Sequence, residues 1–312
     1  MLTKIEKIFA RNKLASFILN RSRNWYLPGF EGASIFEVIK AFYAQVKLQG
    51  LRERAAAISY NFIMALPPSF LFLFTLIPHL PFVSVKSIRL QVHNLVYDII
   101  PARQYNEEVI RFLDSFMGGS KIGLLSFSLL LSLFFASNAM MGLMRAFNKK
   151  YFGFTERKKI KQRWIAIKLT FILFGLLLTY LILLIMQGAL LRLLVSDGGW
   201  REVILYTRWI LIVLLIYFII AFIFKYAPAV QKRWKILSPG TVLATFLSIL
   251  SSLGFAFFVN NFGRFNALYG SIGTIMVIMA LIFINSLALL IGFELNVSIK
   301  SASARKQMQP VK

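Results

Sequence analysis

The residue best placed to do chemistry is Glu294, a carboxylate inside the long apolar run that ends before Lys300. At membrane depth a carboxylate is costly unless it is paired, neutralised or close to the interface. Arg54 and Arg145 stand at the ends of two other apolar runs, so we predict that Glu294 pairs with one of them. The cluster is either a structural ion pair that ties two helices together or a site that binds a proton, an ion or a lipid phosphate.

Two amides and a glycine share one face of the same final segment. Asn285, Gly292 and Asn296 are separated by seven and four residues, a spacing that places them along one side of a helix. We expect this face to point into the protein. There the amides would form hydrogen bonds between helices, the more frequent role, or would contact a substrate.

The first apolar segment contains two adjacent prolines, Pro67 and Pro68, downstream of the polar Asn61. Prolines inside a helix remove backbone donors and clash with the preceding turn, so the pair indicates a helix that is kinked or broken here. Broken helices line many transporter sites. A packing kink without any ligand is the alternative, and it is the more common use of such prolines.

Small residues recur at every fourth position in the fifth apolar segment and also occur in the sixth. This spacing lets two helices approach closely in lipid. Structural packing is the favoured interpretation, and a sliding surface between two helical groups is the alternative. The predicted packing residues are Gly240, Ala244, Ser248, Ser252, Gly270, Gly273 and Gly292.

The sequence lacks the patterns of several kinds of catalytic site. It has no P-loop, no glycine-rich dinucleotide motif and no GxSxG motif. It has no cysteine and only two histidines, and the acidic residues of the predicted cytoplasmic side are widely separated. We therefore predict that the protein is not an enzyme and holds no metal or cofactor. A nuclease and an ATP-driven pump are disfavoured for the same reason.

The composition indicates which environment must position these residues. Of 312 residues, 58% are hydrophobic and only 15% are charged, whereas a soluble domain has about 25% charged residues. Six apolar stretches, each near the ~20 residues that cross the hydrocarbon core, predict an all-α integral membrane protein with six transmembrane helices. The stretches lie at about 55–79, 122–144, 165–191, 203–225, 237–259 and 271–298.

The predicted organisation has three parts: a cytoplasmic amphipathic segment at 1–54, a transmembrane domain at 55–298 and a cytoplasmic tail at 299–312. Short amphipathic helices are also expected in the loop at about 80–121. In the first part, Ser34 and Glu37 form a capping-box pattern ahead of an amphipathic stretch. That helix either lies in the membrane interface or packs on the bundle from the cytosol.

The distribution of charge predicts the orientation. With both ends in the cytoplasm, 27 of the 36 Lys and Arg residues fall on the cytoplasmic side and nine on the outer side, as the positive-inside rule requires. The net charge of +24 is then explained by attraction to anionic lipid headgroups, with no need for nucleic acid. We predict a multi-pass protein of a bacterial inner membrane whose partners are membrane lipids.

Four short motifs in order along the chain resemble the YihY/BrkB family of membrane proteins. They are Arg54-Ala55-Ala56-Ala57-Ile58-Ser59-Tyr60, Arg145-Ala146-Phe147-Asn148 with Tyr151, Tyr269-Gly270-Ser271-Ile272-Gly273 and Gly292-Phe293-Glu294-Leu295-Asn296. The resemblance covers about residues 35–300 and implies a six-span bacterial inner-membrane protein. It also implies a family that has carried a mistaken ribonuclease BN label, and for which virulence, ion antiport and export of lipid or envelope precursors have been suggested.

Two classes of function follow from these features. The favoured class is a transporter or a translocase of lipid or envelope precursors, because the proline pair, the small-residue helix and Glu294 are parts that a moving bundle would use. A cation–proton antiporter is the alternative within this class. The second class is a scaffold of the cell envelope that transports nothing. Ribonuclease activity is not expected.

Overall fold

The structure is a computed structural model of the chain. It describes residues 25–48, 50–76, 122–148, 154–194, 201–231, 233–262 and 271–308. Residue 151 and a few residues between 86 and 115 are also described. Side chains at 181–208 are not described. Gly270, most of the loop at about 80–121 and the end of the predicted tail therefore lie outside the described residues.

Six long apolar helices dominate the described chain, and a shorter helix precedes them. The helices are α1 (Ile35–Leu48), α2 (Leu51–Leu76), α3 (Ile122–Phe147), α4 (Lys159–Leu194), α5 (Arg201–Tyr226), α6 (Pro239–Phe262) and α7 (Ser271–Met308). Helices α2 to α7 are each long and apolar enough to cross a membrane. The predicted fold class, an all-α membrane protein with six spans, is confirmed.

The six long helices form a closed ring in chain order. Each helix from α2 to α6 packs against the next one, and α7 returns to pack against α2. Helix α1 packs on α7. Because the first and last long helices are neighbours, residues near the start of α2 and near the end of α7 meet although they are far apart in sequence.

The proline pair does not break the first span, so the broken-helix interpretation is wrong, while the packing kink stays a prediction. Helix α2 is continuous from Leu51 to Leu76, with Pro67 exposed and Pro68 buried inside it. Two missing backbone donors leave carbonyl groups one turn earlier without their usual partner, yet the remaining bonds of a 26-residue helix are sufficient to continue it through the pair.

Two helices are much longer than the predicted spans. Helix α4 begins at Lys159 instead of 165, and α7 has 38 residues. At 1.5 Å per residue, α7 is roughly 57 Å long, about twice the thickness of the hydrocarbon core. The predicted tail therefore begins as a continuation of the last helix.

Helix α1 begins with the predicted capping box. The Ser34 amide donates to the Glu37 carboxylate at 2.9 Å, and the Glu37 amide donates to the Ser34 hydroxyl at 3.3 Å. Val38 and Ala41 of α1 are buried in one cluster with Ile299 of α7, so one face of this helix packs on the bundle. Ile39 and Tyr43 remain exposed.

Buried side chains concentrate at one end of the ring. We call the helix ends that carry Arg54, Phe147 and Glu294 the closed end, because one large cluster of buried apolar residues from α2 to α7 fills it. Residues 253–258 of α6 and 275–280 of α7 lie at the opposite end. With residues 255 and 277 as partly buried exceptions, these two segments are exposed, and we call them the exposed segments.

Candidate functional site

The closed end is built around an ion pair between α2 and α7. Arg54 Nη1 lies 2.5 Å from Glu294 Oε1, and the exposed fractions of the two residues are 6% and 0%. The predicted pairing of Glu294 is therefore confirmed with Arg54. The alternative partner, Arg145, is exposed, because it lies on the outward face of α3.

A tyrosine that the sequence interpretation did not assign to the site completes this group. The Tyr151 hydroxyl donates to Glu294 Oε1 at 2.6 Å. Burial raises the pKa of the Tyr151 phenol above its ordinary value, and the neighbouring Glu294 carboxylate raises it further. The phenol therefore remains a neutral donor, and one carboxylate oxygen accepts from both Arg54 and Tyr151.

Part of the buried polar surface of this group has no hydrogen-bond partner within the described residues. The other carboxylate oxygen, Glu294 Oε2, is buried and unpartnered, and so are Nε and Nη2 of Arg54. Buried charged groups with free donors and acceptors are unfavourable. The arrangement can therefore exchange partners, take up a proton on the carboxylate or admit a small polar ligand.

Phe293, next to Glu294, is surrounded by aromatic rings. Its ring stacks on Phe147 at a centroid distance of 4.2 Å with an interplanar angle of 4°. Trp234 lies 5.5 Å from it, and Tyr151 lies 5.9 Å from it at a steep angle. Trp234 is buried in this cluster. The aromatic rings surround the ion pair with apolar surface and so exclude water.

Asn296, also in the last motif, caps a neighbouring helix. Its Oδ1 accepts from the Gly240 amide at 2.9 Å, and its Nδ2 donates to the Ser238 hydroxyl at 2.9 Å. Gly240 is in the first turn of α6, where backbone amides lack intrahelical acceptors. Asn296 thus fixes the start of α6 to α7.

Gly292 and Gly240 bring α6 and α7 into backbone contact. A Cβ atom on Gly240 would overlap the Gly292 carbonyl oxygen, and a Cβ atom on Gly292 would lie 2.5 Å from Ala244 Cβ. The structure therefore places the predicted packing residues Gly240, Ala244 and Gly292 at one helix crossing. Ser248 is also buried, whereas Ser252 is half-buried.

Two further predicted residues hold helices together. Asn285 Nδ2 donates to the Ser252 hydroxyl at 3.3 Å and thereby links α7 to α6. Asn61 on α2 donates to the Ala57 carbonyl at 2.6 Å. Its side chain occupies the space left by Gly142 on α3, where an added Cβ would lie 2.6 Å from Asn61 Nδ2.

The remaining predicted residues do not join the ion-pair group. Pro67 and Pro68 lie more than three turns along α2 from Arg54. Gly273 is buried near the start of α7, about six turns from Glu294 along that helix. The structure therefore separates the predicted site residues into one ion-pair group at the closed end and several helix-packing contacts.

Two loops cover the closed end. The Asn148 side chain accepts from the Ala229 amide at 3.0 Å, and the Thr155 amide donates to the Ala229 carbonyl at 2.7 Å. Arg157 donates to the carbonyls of Ala227 and Pro228 at 3.1 and 2.5 Å, just past the end of α5. Burial lowers the pKa of Arg157, and repulsion from Arg233 lowers it further.

The sequence interpretation missed Tyr151, Asn148 and Arg157 as site residues. A signal for the first two was present, because both stand in the second of the four motifs quoted above. Arg157 gave no such signal, since it is one of several cations in a basic loop. Among the residues that the structure describes, no group of three His, Asp or Glu residues is placed to hold a metal ion.

Comparisons with known proteins agree with this architecture. The family model described as virulence factor BrkB matches residues 42–312. The ribonuclease-like protein YfkH of Bacillus subtilis (strain 168) is 27% identical over 262 residues, which cover 83% of this chain and 93% of that protein. A UPF0761 membrane protein of Tolumonas auensis is 28% identical over 75 residues, which cover 24% of this chain and 25% of that protein. No solved structure matches the chain.

The matched region contains every residue of the ion-pair group and the glycine contact between α6 and α7. It also contains all six helices that are long enough to span a membrane. The chain is a multi-pass membrane protein, and it belongs to the family of the virulence factor BrkB.

Proposed function

We propose that the protein is a transporter of the bacterial inner membrane that translocates an amphipathic molecule, a lipid or an envelope precursor, and that both of its ends lie in the cytoplasm. The observation that carries this proposal is the contrast between the closed end and the exposed segments. A bundle that moves a substrate needs one end that closes and another that opens to the membrane or to water.

The exposed segments support an apolar substrate path. Near the closed end of α6, the exposed side chains Val242, Phe246 and Leu250 form a stripe about 80° wide, whereas residues 253–258 are exposed over about 200° of the helix. On α7, residues 275–280 are exposed over about 200°, and none of residues 281–304 is exposed. Helix surface exposed so widely, and carrying Leu, Phe, Ile and Met side chains, suits contact with an acyl chain.

The ion pair favours an amphipathic substrate over a metal cation. Glu294 already has a guanidinium 2.5 Å away, so its charge is compensated and its attraction for a second cation is weak. A cation–proton antiporter would require a carboxylate that is free of a fixed positive partner. A scaffold would not require unpartnered polar atoms at the closed end.

The distribution of cations supports the proposed orientation. The closed end carries residues 154–158 and the start of α4, and the sequence from Arg145 to Lys168 is rich in Lys and Arg. Under the positive-inside rule this distribution supports a cytoplasmic closed end. The same cations would attract anionic lipid headgroups of that leaflet. We propose these lipids as partners of the cytoplasmic face.

Reconstitution into liposomes tests this function. A fluorescent short-chain phospholipid in the inner leaflet is followed by its exposure to an impermeant quencher, with and without an imposed pH gradient or membrane potential. We expect the wild-type protein to expose the lipid faster than protein-free liposomes do. We expect Glu294→Gln to lower this rate several-fold, because closing of the cytoplasmic end depends on the ion pair.

Arg52→Gln is the matched control, since Arg52 is an exposed cation two residues from Arg54. Only protein that is monodisperse after reconstitution is compared. Proton-coupled movement of a cation without lipid movement would replace this proposal by an antiporter. If neither lipid nor cation moves, the protein is better described as a scaffold.

A further inference from the structure

A second arginine, Arg163, is half-buried between α3 and α4, away from the ion pair. Arg163 is the fifth residue of α4, and its guanidinium donates to the side-chain oxygen of Asn138 on α3. The guanidinium carbon lies 5.4 Å from the centre of the Phe134 ring. Phe134 is at the middle of α3, a 26-residue apolar helix. The positive charge therefore reaches well into the span.

This charge has no acidic partner within the described residues. The ion pairs there join Arg54 to Glu294 and Asp114 to Arg89 and His93. A cation within a membrane span is unfavourable unless it has a partner of opposite charge or reaches the interface. An amide oxygen and an aromatic face reduce this cost, but neither of them carries the negative charge that would neutralise a guanidinium.

The surface next to Arg163 is apolar at one end and polar at the other, as a lipid molecule is. Phe127, Leu130 and Phe134 are 59%, 68% and 54% exposed, and with Asn138 they lie within an arc of about 80° on one side of α3. Arg145 is exposed on the same stripe, seven residues or about 10 Å beyond Asn138 toward the closed end. The stripe is thus apolar from Phe127 to Phe134, and it carries a polar and a cationic side chain at Asn138 and Arg145.

We propose that the surface where α3 packs on α4, at Arg163, binds the phosphate of an anionic lipid of the cytoplasmic leaflet. Arg163 contacts the phosphate through its planar fork of donors, which suits two phosphate oxygens at once. Arg145 attracts the headgroup from the same stripe of α3, and the apolar part of the stripe lies beside one acyl chain. This site is separate from the ion-pair group and does not depend on transport; its assignment to the cytoplasmic leaflet rests on the orientation proposed above.

The geometry favours a lipid over free phosphate. Arg163 lies beside the exposed apolar side chains Leu130 and Phe134. These side chains suit the acyl chains of a lipid and offer nothing to a free phosphate ion. A headgroup reaches Arg163 sideways from the leaflet while its chains remain in hydrocarbon.

Lipid retention by the purified full-length protein tests the site. The protein is extracted into detergent, exposed to an equal mixture of phosphatidylglycerol and phosphatidylcholine, and weighed intact by native mass spectrometry. We expect the wild type to retain phosphatidylglycerol preferentially. We expect Arg163→Gln to lose most of this preference, a decrease of about ten-fold if one charge-assisted contact of about 1.4 kcal/mol is removed.

Lys161→Gln is the matched control. Lys161 is an exposed cation of the same helix, two residues away and so on roughly the opposite side of α4. We expect this variant to retain phosphatidylglycerol as the wild type does. Arg163→Lys keeps the charge but loses the fork, and we expect it to restore part of the preference. If Arg163→Gln does not fold, Arg163→Lys and the exposed Arg145→Gln provide the comparison, each with an expected decrease of a few-fold.

Equal retention by the wild type and every Arg163 and Arg145 variant would overturn the proposal. An arm with added inorganic phosphate identifies the source of the anion: displacement of phosphatidylglycerol by millimolar phosphate would show a free-phosphate site and contradict the lipid assignment. Since the experiment measures binding without translocation, its outcome is independent of the transport assay.

Discussion

The closed end and the exposed segments of the bundle are made from different residues. At the closed end, Arg54, Tyr151 and Glu294 are in hydrogen-bond contact and Gly240 touches Gly292. The exposed segments, 253–258 and 275–280, contain mostly Leu, Phe, Ile, Met, Val and Ala. The closed end is therefore specified by polar pairs and close backbone contact, whereas the exposed segments of α6 and α7 carry only apolar side chains.

This difference follows from the solvent. In lipid, apolar side chains gain little by contacting protein in place of acyl chains, so helix association depends on small residues and polar contacts. Where such residues meet across helices, as Arg54 meets Glu294 and Gly240 meets Gly292, the helices are closely packed.

Removing one member of the ion pair should have the largest effect on stability. Arg54→Leu leaves the fully buried Glu294 carboxylate without its counter-charge, and breaking a buried pair in this way costs about 3–5 kcal/mol. We expect a large decrease in the apparent melting temperature of the purified protein in detergent, measured by fluorescence-detected size exclusion. Arg52→Leu, at an exposed position of the same helix, should melt close to the wild type.

The double variant Arg54→Leu/Glu294→Leu separates the charge from the packing. Because it removes both charges, it should melt above the single variant Arg54→Leu. A double variant that is less stable than both single variants would indicate that the ion pair is not the element that holds the closed end together.

Tyr151→Phe should have the next largest effect. It removes one hydrogen bond to a charged acceptor, a contact worth about 1.5–3 kcal/mol. Burial and Glu294 raise the pKa of Tyr151 in the folded protein. This contribution to stability is therefore complete below the ordinary tyrosine pKa of about 10 and is lost as the pH rises above it, when only the unfolded chain ionises.

Thermal unfolding between pH 8 and 11 measures this pH dependence. The wild type should lose stability above about pH 10 more steeply than Tyr151→Phe does. Tyr60→Phe, at an exposed position, should follow the wild-type curve. Parallel curves for the wild type and Tyr151→Phe would contradict the proposed role of the buried phenol.

Adding a methyl group should lower the melting temperature at the α6–α7 crossing and leave it nearly unchanged in the exposed segment of α6. Gly292→Ala places a Cβ atom 2.5 Å from Ala244 Cβ, and such overpacking costs about 1–3 kcal/mol. Gly254→Ala meets nothing within 4 Å in the exposed segment, so it should be neutral or slightly stabilising. Equal melting temperatures for the two variants would remove the contrast between the two ends.

Asn285→Ala should have the smallest effect. Its hydrogen bond to Ser252 links α6 and α7 between the two ends, and interhelical hydrogen bonds in membranes average about 0.6 kcal/mol. We expect a small decrease in melting temperature that is absent when Ser252 is already alanine. A decrease in melting temperature as large as that of Arg54→Leu would show that a contact outside the closed end is equally important for stability.

The sequence alone was sufficient to predict the six spans and the pairing of Glu294 with a cation. Apolar length identified six membrane helices, and the cost of a lone carboxylate in Glu294 required a cation such as Arg54. It was not sufficient to choose Arg54 over Arg145, because that choice depends on the rotation of α3 about its axis. A hydrophobicity pattern cannot determine this rotation when lipid and protein are equally apolar.

Two other features depended on contacts between distant segments. The capping of α6 by Asn296 joins residues 56 positions apart in sequence, and nothing local in the sequence connects them. The proline pair gave a wrong prediction, because a local rule for helix breaking ignores the stability of a long membrane helix. Ring closure between α2 and α7 explains why the first and last motifs form one site.

The most direct test of the account is thiol labelling at matched alanines, which the absence of cysteine in the chain makes simple. Ala280→Cys lies in the exposed segment of α7, and Ala288→Cys is buried two turns closer to Glu294. In membranes, a lipid-soluble maleimide should modify Ala280→Cys and leave Ala288→Cys unmodified until the protein is denatured. Modification of Ala288→Cys in the folded protein, or protection of both positions, would contradict a bundle that is closed at one end and open to the membrane at the other.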